Sequence, residues 1–267
     1  AFYRAWPGLG SILAQPARES DRLILSQPVT ELPWGHNIDL IEKVRTPEDR
    51  LWYARQAFEF GWSRNVLALH IADNLHRRQG KALTNFKRTL PPLQSDLAQQ
   101  TLKDDYAFDF LKNAKSSERD LEKSMVQHVQ RFLLELGAGF AFLGRQHHLE
   151  IGGEDFYLDL LFYHVHLHCY IVIELKAGAF KPEHAGKMNF YLSAADDLLR
   201  RPGDGPTIGI ILCGSKNRVI AEYAVRDSNK PIGISSYRLT RALPAALAAS
   251  LPTIDQLEVG AKGPSRL

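Results

Sequence analysis

The sequence predicts an α/β (mixed α+β) fold. A mixed sheet flanked by helices should follow an all-α N-terminal domain. Two observations support this fold class. The first part of the chain has apolar residues at helical spacing with clear capping residues, and no strand-like alternation. After about residue 116, helical stretches alternate with short apolar runs in the order α-β-β-β-α-β-α-β.

The N-terminal helices are marked by their caps. Thr46 precedes Pro47 and lies three residues before Asp49, which predicts the start of a helix through TPEDRLWYARQAFEF that ends at Gly61. Ser63 is the expected cap of a second helix through RNVLALHIADNLHRR. The stretch NIDLIEKV predicts a shorter helix ahead of both.

The segment from about Leu90 to Ser116 contains Pro-Pro, several amides and scattered charges, so its pattern is weaker. We interpret it as a linker with a short ordered segment and place a domain boundary near Lys115. The expected domains are therefore 1–115, helical with its linker, and 116–267.

The second domain has a regular order of elements. An amphipathic helix through SERDLEKSMVQHVQRFLLEL should end at Gly137, and a second long helix should run from Pro182 to about Leu199. Strands are expected at 140–151, 156–164 and 169–176, and the turn sequence GGED joins the first two. Two further strands are expected at TIGIILC and IGISSYRL, with a helix at NRVIAEYAV between them.

Composition indicates a globular protein with a mild net charge of +3 and only two cysteines, Cys169 and Cys213. No apolar run is long enough to span a bilayer, so we expect no membrane partner and a cytoplasmic location. The basic cluster Arg77, Arg78 and Lys81 could follow a nucleic-acid backbone. The alternative is a solvated helix end.

Three charges stand in apolar strands: Asp159, Glu174 and Lys176. If the second and third strands form a hairpin with His166 and Leu167 at the centre of the turn, Asp159 lies opposite Glu174, with Cβ atoms roughly 5 Å apart. Two carboxylates at that distance repel each other unless a cation lies between them, and oxygen ligands suit Mg²⁺. The alternative to a cation site is that these charges mark a strand end that reaches solvent.

The same residues resemble a known family. Helix, three strands, Asp159, then Glu174-x-Lys176, then helix is similar to the PD-(D/E)xK nuclease superfamily, the restriction-endonuclease-like fold. The stretches GRQHHLEIGGEDFYLDLLFYH, IVIELKAGAFKPEHAGKMNFYL and GIILCGSKNRVIAEYAV resemble the bacterial YhcG-like family, and LPWGHN and GWSRN resemble the end of its helical N-terminal domain. Members of this family carry more sequence ahead of this point, which implies that an N-terminal segment is missing here.

The resemblance implies roles for these residues. Asp159 and Glu174 would hold Mg²⁺ or Mn²⁺, and Lys176 would position or deprotonate water or steady the charge on the phosphate. Superfamily members often add a glutamate from the first helix; Glu122 is the best match, although Glu118 and Glu135 compete. Leu158 stands where the superfamily pattern has proline, a departure found in divergent members.

Some neighbours of the site follow from position alone. Lys187 and Tyr191 lie four residues apart on the second long helix and could face the site to contact nucleic acid, or else pack at the surface. Gln146 or His148 could lie beside Asp159 on the first strand, because the turn length leaves that register open.

The leading interpretation is a Mg²⁺-dependent endonuclease acting on DNA, with a homodimer or a protein partner formed through the N-terminal domain as a further expectation. A nuclease fold used as a non-catalytic binding or scaffold module is the second interpretation. An RNA nuclease with the same site is the third.

Overall fold

The computed structural model of the chain describes residues 27–108 and 117–238. The described residues divide into two compact units, 27–76 and 77–238, which are described separately below. The expected N-terminal start at residues 1–26, the end of the expected linker and everything after residue 238 lie outside the described residues. No helix within the described ranges is both long and apolar enough to cross a bilayer.

The first unit is helical, as predicted. Its helices are α1 Gln27–Glu31, α2 Trp34–Lys43, α3 Pro47–Glu59 and α4 Arg64–Ala72, followed by the short α5 Leu75–Arg78, which runs into the second unit. Thr46 and Ser63 cap α3 and α4, since their side chains accept hydrogen bonds from the backbone N–H of Asp49 and Val66. The core contains Leu40, Tyr53, Ala57 and Leu67, among other residues.

The predicted continuous helix through RNVLALHIADNLHRR is wrong in one respect. It ends at Ala72, and Asn74 adopts a left-handed backbone conformation with φ 51° before α5 begins at Leu75. Asparagine tolerates that conformation better than most residues, which explains why the break falls there.

The second unit is built on a seven-stranded mixed sheet. Its strands are β1 Leu83–Thr84, β2 Asp105–Ala107, β3 Phe140–Ile151, β4 Glu154–His164, β5 Cys169–Ala179, β6 Ile208–Ser215 and β7 Ile232–Arg238. The strand order is β1-β7-β6-β5-β4-β3, and β2 also pairs with β7. β5, β6 and β7 are parallel to one another, whereas β3, β4 and β5 form two antiparallel hairpins.

Helices cover both faces of this sheet. They are α6 Phe86–Thr89, α7 Pro92–Thr101, α8 Glu118–Gln127, α9 Val129–Leu136, α10 Pro182–Leu198 and α11 Arg218–Arg226. One core cluster joins α7, α8 and α9 to Ile171, Ile173 and Leu175 of β5. The other joins α10 and α11 to Val172 and to β6. Ile171, Ile173 and Leu175 therefore lie on one face of β5 and Val172 on the other.

The boundary predicted near Lys115 is not where the structure divides the chain. Residues 77–108 belong to the sheet unit, because β1 pairs with β7 antiparallel and β2 pairs with β7 parallel. The predicted linker contains α7 and β2 instead, so the linker interpretation is wrong for the described part of that segment.

The predicted single helix after residue 117 is two helices. His128 has φ −116° and ψ 36°, outside the helical region, and separates α8 from α9. Ser117 and Asp120 form the capping box that starts α8.

The two hairpins bring the predicted site strands together. Gly152 and Gly153 both have positive φ, 63° and 82°, and form the two-residue turn between β3 and β4. Leu160 pairs with Ile173 and His164 with Cys169 across the next hairpin, which is the register predicted from a turn centred on His166 and Leu167.

Candidate active site

Glu174 is the most buried charge of the site, with only 2% of its side chain exposed. Its Oε2 accepts a hydrogen bond from Lys187 Nζ at 3.0 Å and lies 3.4 Å from Lys176 Nζ. Its Oε1 is buried and has no hydrogen-bond partner among the residues that the structure describes. Burial raises the pKa of Glu174, and the negative charge of Asp159 raises it further against the effect of the two lysines.

Asp159 lies on β4 one position beyond the last residue pair of the β4–β5 ladder. Its Oδ2 accepts a hydrogen bond from the backbone N–H of Leu175 at 2.9 Å, and its Oδ1 accepts one from Gln146 Nε2 at 3.3 Å. Both oxygens of the Asp159 carboxylate are therefore held by hydrogen bonds. The carboxylate lies beside Glu174, because Leu175 directly follows Glu174 in the sequence.

Lys176 is buried at the same edge of β5. Its Nζ donates to Glu118 Oε2 at 3.2 Å and to the carbonyl oxygen of Leu175 at 3.0 Å. The hydroxyl of Tyr237 donates to the carbonyl oxygen of Lys176 at 3.3 Å. The ammonium group is thus fixed between a carboxylate of α8 and the carboxylate of Glu174.

Glu122 joins the site through Gln146. Its Oε2 accepts a hydrogen bond from Gln146 Nε2 at 2.5 Å, and its Oε1 lies 3.6 Å from Arg145 Nη1. Burial raises the pKa of Glu122 and the charge of Asp159 adds to that rise, whereas the hydrogen bond from Gln146 opposes it. The structure brings Glu122 to the predicted site.

The two competing glutamates have other partners. Glu118 pairs with Lys176, as described above. Glu135 is buried on α9 between Arg78 Nη1, at 2.7 Å, and Lys103 Nζ, at 3.3 Å, and accepts the backbone N–H of Ala107 at 2.9 Å. Glu135 is therefore a structural anchor for the start of the second unit.

Lys187 and Tyr191 lie at the site, on α10. Besides its contact with Glu174, Lys187 Nζ lies 4.9 Å from the centre of the Tyr191 ring. Lys187 remains about half exposed, with 46% of its side chain accessible, so its ammonium group can reach both Glu174 and solvent. Burial raises the pKa of the buried Tyr191 hydroxyl.

The predicted basic cluster is divided by the structure. Arg77 and Lys81 are exposed, but Arg78 is buried and donates to Glu135 and to the carbonyl oxygen of Asp105. The prediction that Arg78 binds nucleic acid is therefore corrected, because its guanidinium group is already engaged inside the second unit.

Gln146 is the neighbour of Asp159 that the sequence left undecided. The register that follows from the Gly152–Gly153 turn places it opposite Asp159, while His148 contacts Asp155 at 2.5 Å instead. An extra residue between Phe142 and Gly144 shifts the β3–β4 ladder by one position, but the Gln146–Asp159 position lies on the turn side of this bulge. The double glycine was thus the signal that could have settled the choice.

The residues fit a hard divalent cation. A buried carboxylate oxygen without a donor, on Glu174, is an acceptor that a cation would satisfy, and Asp159 supplies a second carboxylate beside it. Within the described ranges, no three His, Cys, Asp or Glu side chains are grouped closely enough to form a metal site by themselves. The carboxylate pair therefore leaves positions for water or substrate oxygens.

Comparison with protein families gives two matches. A family described as "YhcG PDDEXK nuclease domain" matches residues 99–252, and a "DUF1016 N-terminal domain" matches residues 8–78. The protein named "Putative nuclease YhcG" from Escherichia coli strain K12 is 34% identical over 221 residues. That match covers 80% of this chain but 58% of the relative, so the chain spans little more than half the length of that protein.

Two solved structures show weaker similarity. A repair endonuclease from Pyrococcus abyssi has 14% identity over 48% of each chain, with a TM-score of 0.34. A structure described as an EndoMS–dsDNA2 complex has 15% identity over 48% of this chain and 46% of the other, with a TM-score of 0.33. Both TM-scores are too low to bear on fold or function, so the assignment rests on the family matches and on the relative from E. coli. The chain belongs to the family of YhcG PDDEXK nuclease domain proteins.

Proposed function

We propose that this chain is a divalent-metal-dependent endonuclease that hydrolyses phosphodiester bonds in DNA. The observation that carries the proposal is the buried, unpartnered oxygen of Glu174 beside Asp159 and Lys176. Burying an ionised carboxylate without a full set of partners is costly, so such a group is retained where a ligand completes it.

Asp159 and Glu174 are the proposed holders of Mg²⁺ or Mn²⁺, because carboxylate oxygens are the ligands these ions prefer. A bound divalent ion supplies Lewis acidity toward a phosphoryl oxygen and makes water more acidic. The hydrogen bonds from Leu175 and Gln146 to Asp159 orient its carboxylate before a cation arrives.

Lys176 is proposed to hold the attacking water or to balance the charge that develops on the phosphate. Its ammonium group is fixed by Glu118 and Glu174, so it needs little rearrangement to act. Lys187 is the proposed phosphate contact, since a cation that binds Glu174 would weaken its hold on that carboxylate and leave a half-exposed ammonium group beside the site. Tyr191 lines the same edge.

The exposed cations Arg77 and Lys81 are proposed to bind the nucleic-acid backbone away from the chemistry. DNA is preferred over RNA because the resemblance is to a superfamily rich in restriction enzymes and junction resolvases. A homodimer or a protein partner formed through the N-terminal domain also remains a proposal. The two free, buried cysteines, Cys169 and Cys213, fit the reducing cytoplasm.

One observation favours a second candidate, a non-catalytic scaffold. Lys176 and Lys187 already neutralise one oxygen of Glu174 without any metal. A nuclease fold that had lost its metal could keep these ion pairs for stability alone.

The test is a cleavage assay on the purified chain with Mg²⁺, Mn²⁺ or EDTA, against duplex, branched and single-stranded DNA and matched RNA. We expect metal-dependent cleavage of at least one DNA substrate, abolished by Glu174→Gln. Glu183→Gln is the matched control, because Glu183 is an exposed glutamate on α10 whose side chain contacts only Lys181 at 3.7 Å among the ion pairs described. Nucleic-acid binding without cleavage under every metal condition would favour the scaffold.

A further inference from the structure

Gln146 has a backbone conformation that its position in a strand does not explain. Its φ is 46°, in the left-handed region, although it lies in the middle of β3. Asn74 and His168 are the other non-glycine residues with positive φ in the described parts of the chain, and they lie in a helix break and a hairpin turn. A side chain other than glycine in this conformation is strained, and such strain is kept where the surrounding structure or a function requires it.

The side chain of Gln146 bridges two carboxylates. Its Nε2 lies 2.5 Å from Glu122 Oε2 and 3.3 Å from Asp159 Oδ1. An amide nitrogen carries two hydrogens, so one group can donate to both acceptors at once. It does so without adding a positive charge that would compete with a cation for Asp159.

The consequence is a carboxylate fixed from both sides. The Leu175 N–H holds Asp159 Oδ2 at 2.9 Å, and Gln146 holds Asp159 Oδ1. Each carboxylate oxygen still has a free lone-pair direction for a cation, because a carboxylate oxygen accepts about two hydrogen bonds. Glu122 is in turn tied to Asp159 by the same amide, so Gln146 links α8 to the strand that carries the proposed ligand.

Resting on the proposed function, we infer that Gln146 is a positioning residue of the metal site, which orients the Asp159 carboxylate and couples it to Glu122. In this left-handed backbone conformation the amide reaches both carboxylates. Residues that orient metal ligands typically change metal affinity or activity by roughly 10- to 100-fold when they are replaced.

Two variants separate positioning from a merely structural role. Gln146→Gly removes the amide and suits the left-handed backbone. Gln146→Asn keeps an amide and also tolerates that backbone, but its side chain is one methylene shorter and cannot reach both carboxylates. Both variants should therefore fold with a melting temperature close to that of the wild type, which circular dichroism measures.

His168→Gly is the matched control. His168 is exposed in the turn between β4 and β5 and has φ 48°, so the same substitution relieves the same kind of backbone strain away from the site. Its melting temperature gives the effect of backbone relief alone, and its metal binding should equal that of the wild type.

Isothermal titration with Mn²⁺ alone, on the full chain without nucleic acid, provides the deciding measurement. We expect Gln146→Gly and Gln146→Asn to bind Mn²⁺ about 10- to 100-fold more weakly than the wild type and the His168→Gly control. Wild-type affinity in both Gln146 variants would overturn the inference and leave the proposed function standing. A wild-type protein that binds no Mn²⁺ would overturn both.

Discussion

Glu135 offers a measurable test of how the second unit is held together. The Glu135→Gln substitution removes a negative charge that contacts Arg78 Nη1 at 2.7 Å and Lys103 Nζ at 3.3 Å, with all three side chains no more than 8% exposed. The two buried cations would lose this counter-ion. Breaking a buried pair in this way costs about 3–5 kcal/mol.

That cost should be visible as a lower melting temperature. For a domain of this size, each kcal/mol corresponds to roughly 2–4 °C, so Glu135→Gln should melt about 10 °C lower at pH 7. Arg78→Met should also destabilise the protein, since it leaves Glu135 with Lys103 as its remaining ion-pair partner. Glu183→Gln is the control, because its exposed ion pair with Lys181 contributes little to stability.

The pH dependence of the stability gives a second, independent test of this buried network. Burial acts to raise the pKa of Glu135, but the charges of Lys103 and Arg78 outweigh it and lower the pKa below its usual 4.5. A carboxylate whose folded-state pKa is lowered stabilises the protein fully above its unfolded pKa and loses that contribution as the pH falls through the folded pKa. The gap in stability between wild type and Glu135→Gln should therefore be largest near pH 7 and shrink below about 4.5.

Thermal melts followed by circular dichroism between pH 3 and pH 8 measure both effects. An equal melting temperature for wild type and Glu135→Gln at pH 7 would refute this account of the buried network. So would a gap that stays constant down to the lowest pH at which the protein is folded.

Three further predictions concern the site and the nucleic acid. Lys176→Met should lower the cleavage rate by orders of magnitude without weakening Mn²⁺ binding, because it removes a group that acts beside the ligands and not a ligand. A wild-type rate would exclude Lys176 from the chemistry. Lys187→Met should tighten Mn²⁺ binding by about 10-fold in a titration at pH 8, since a half-exposed ammonium group no longer competes for Glu174. Weaker binding would mean that Lys187 supports the metal site. Arg77→Gln with Lys81→Gln should weaken DNA binding and flatten its salt dependence without altering the cleavage site, and an unchanged salt slope would limit these residues to solvation.

The sequence was sufficient to predict the strands that carry the site. The apolar runs on either side of His166 and Leu167 predict a hairpin centred on these two residues, and the structure has that register, with Leu160 paired with Ile173. The position of the turn fixes this register. This constraint is why the position of Asp159 relative to β5 followed from the pattern alone.

Other features depend on contacts that leave no periodic signal. β2 is only the three residues Asp105–Ala107, and its place in the sheet depends on pairing with β7, more than a hundred residues later. The break at His128 and the burial of Arg78 likewise depend on tertiary packing, since neither residue interrupts the local pattern. These are the reasons that the sequence predicted neither the division of the structure at residue 76 nor the burial of Arg78.

Gln146 lies between these two cases. Its partner on β4 could have been read from the turn at Gly152 and Gly153, but its left-handed backbone could not, because glutamine has no preference for that conformation. Its contact with Glu122 joins two elements, α8 and β3, whose relative position is set by the core. A sequence pattern carries no information about such a contact.

The most direct test of the central claim is the rate of DNA cleavage by wild type and Glu174→Gln in Mg²⁺, with the fold of each checked by circular dichroism. We expect metal-dependent cleavage by the wild type and a loss of several orders of magnitude in a folded Glu174→Gln, with Asp159→Asn behaving in the same way. Cleavage by folded Glu174→Gln at the wild-type rate would contradict it and place the activity elsewhere in the protein.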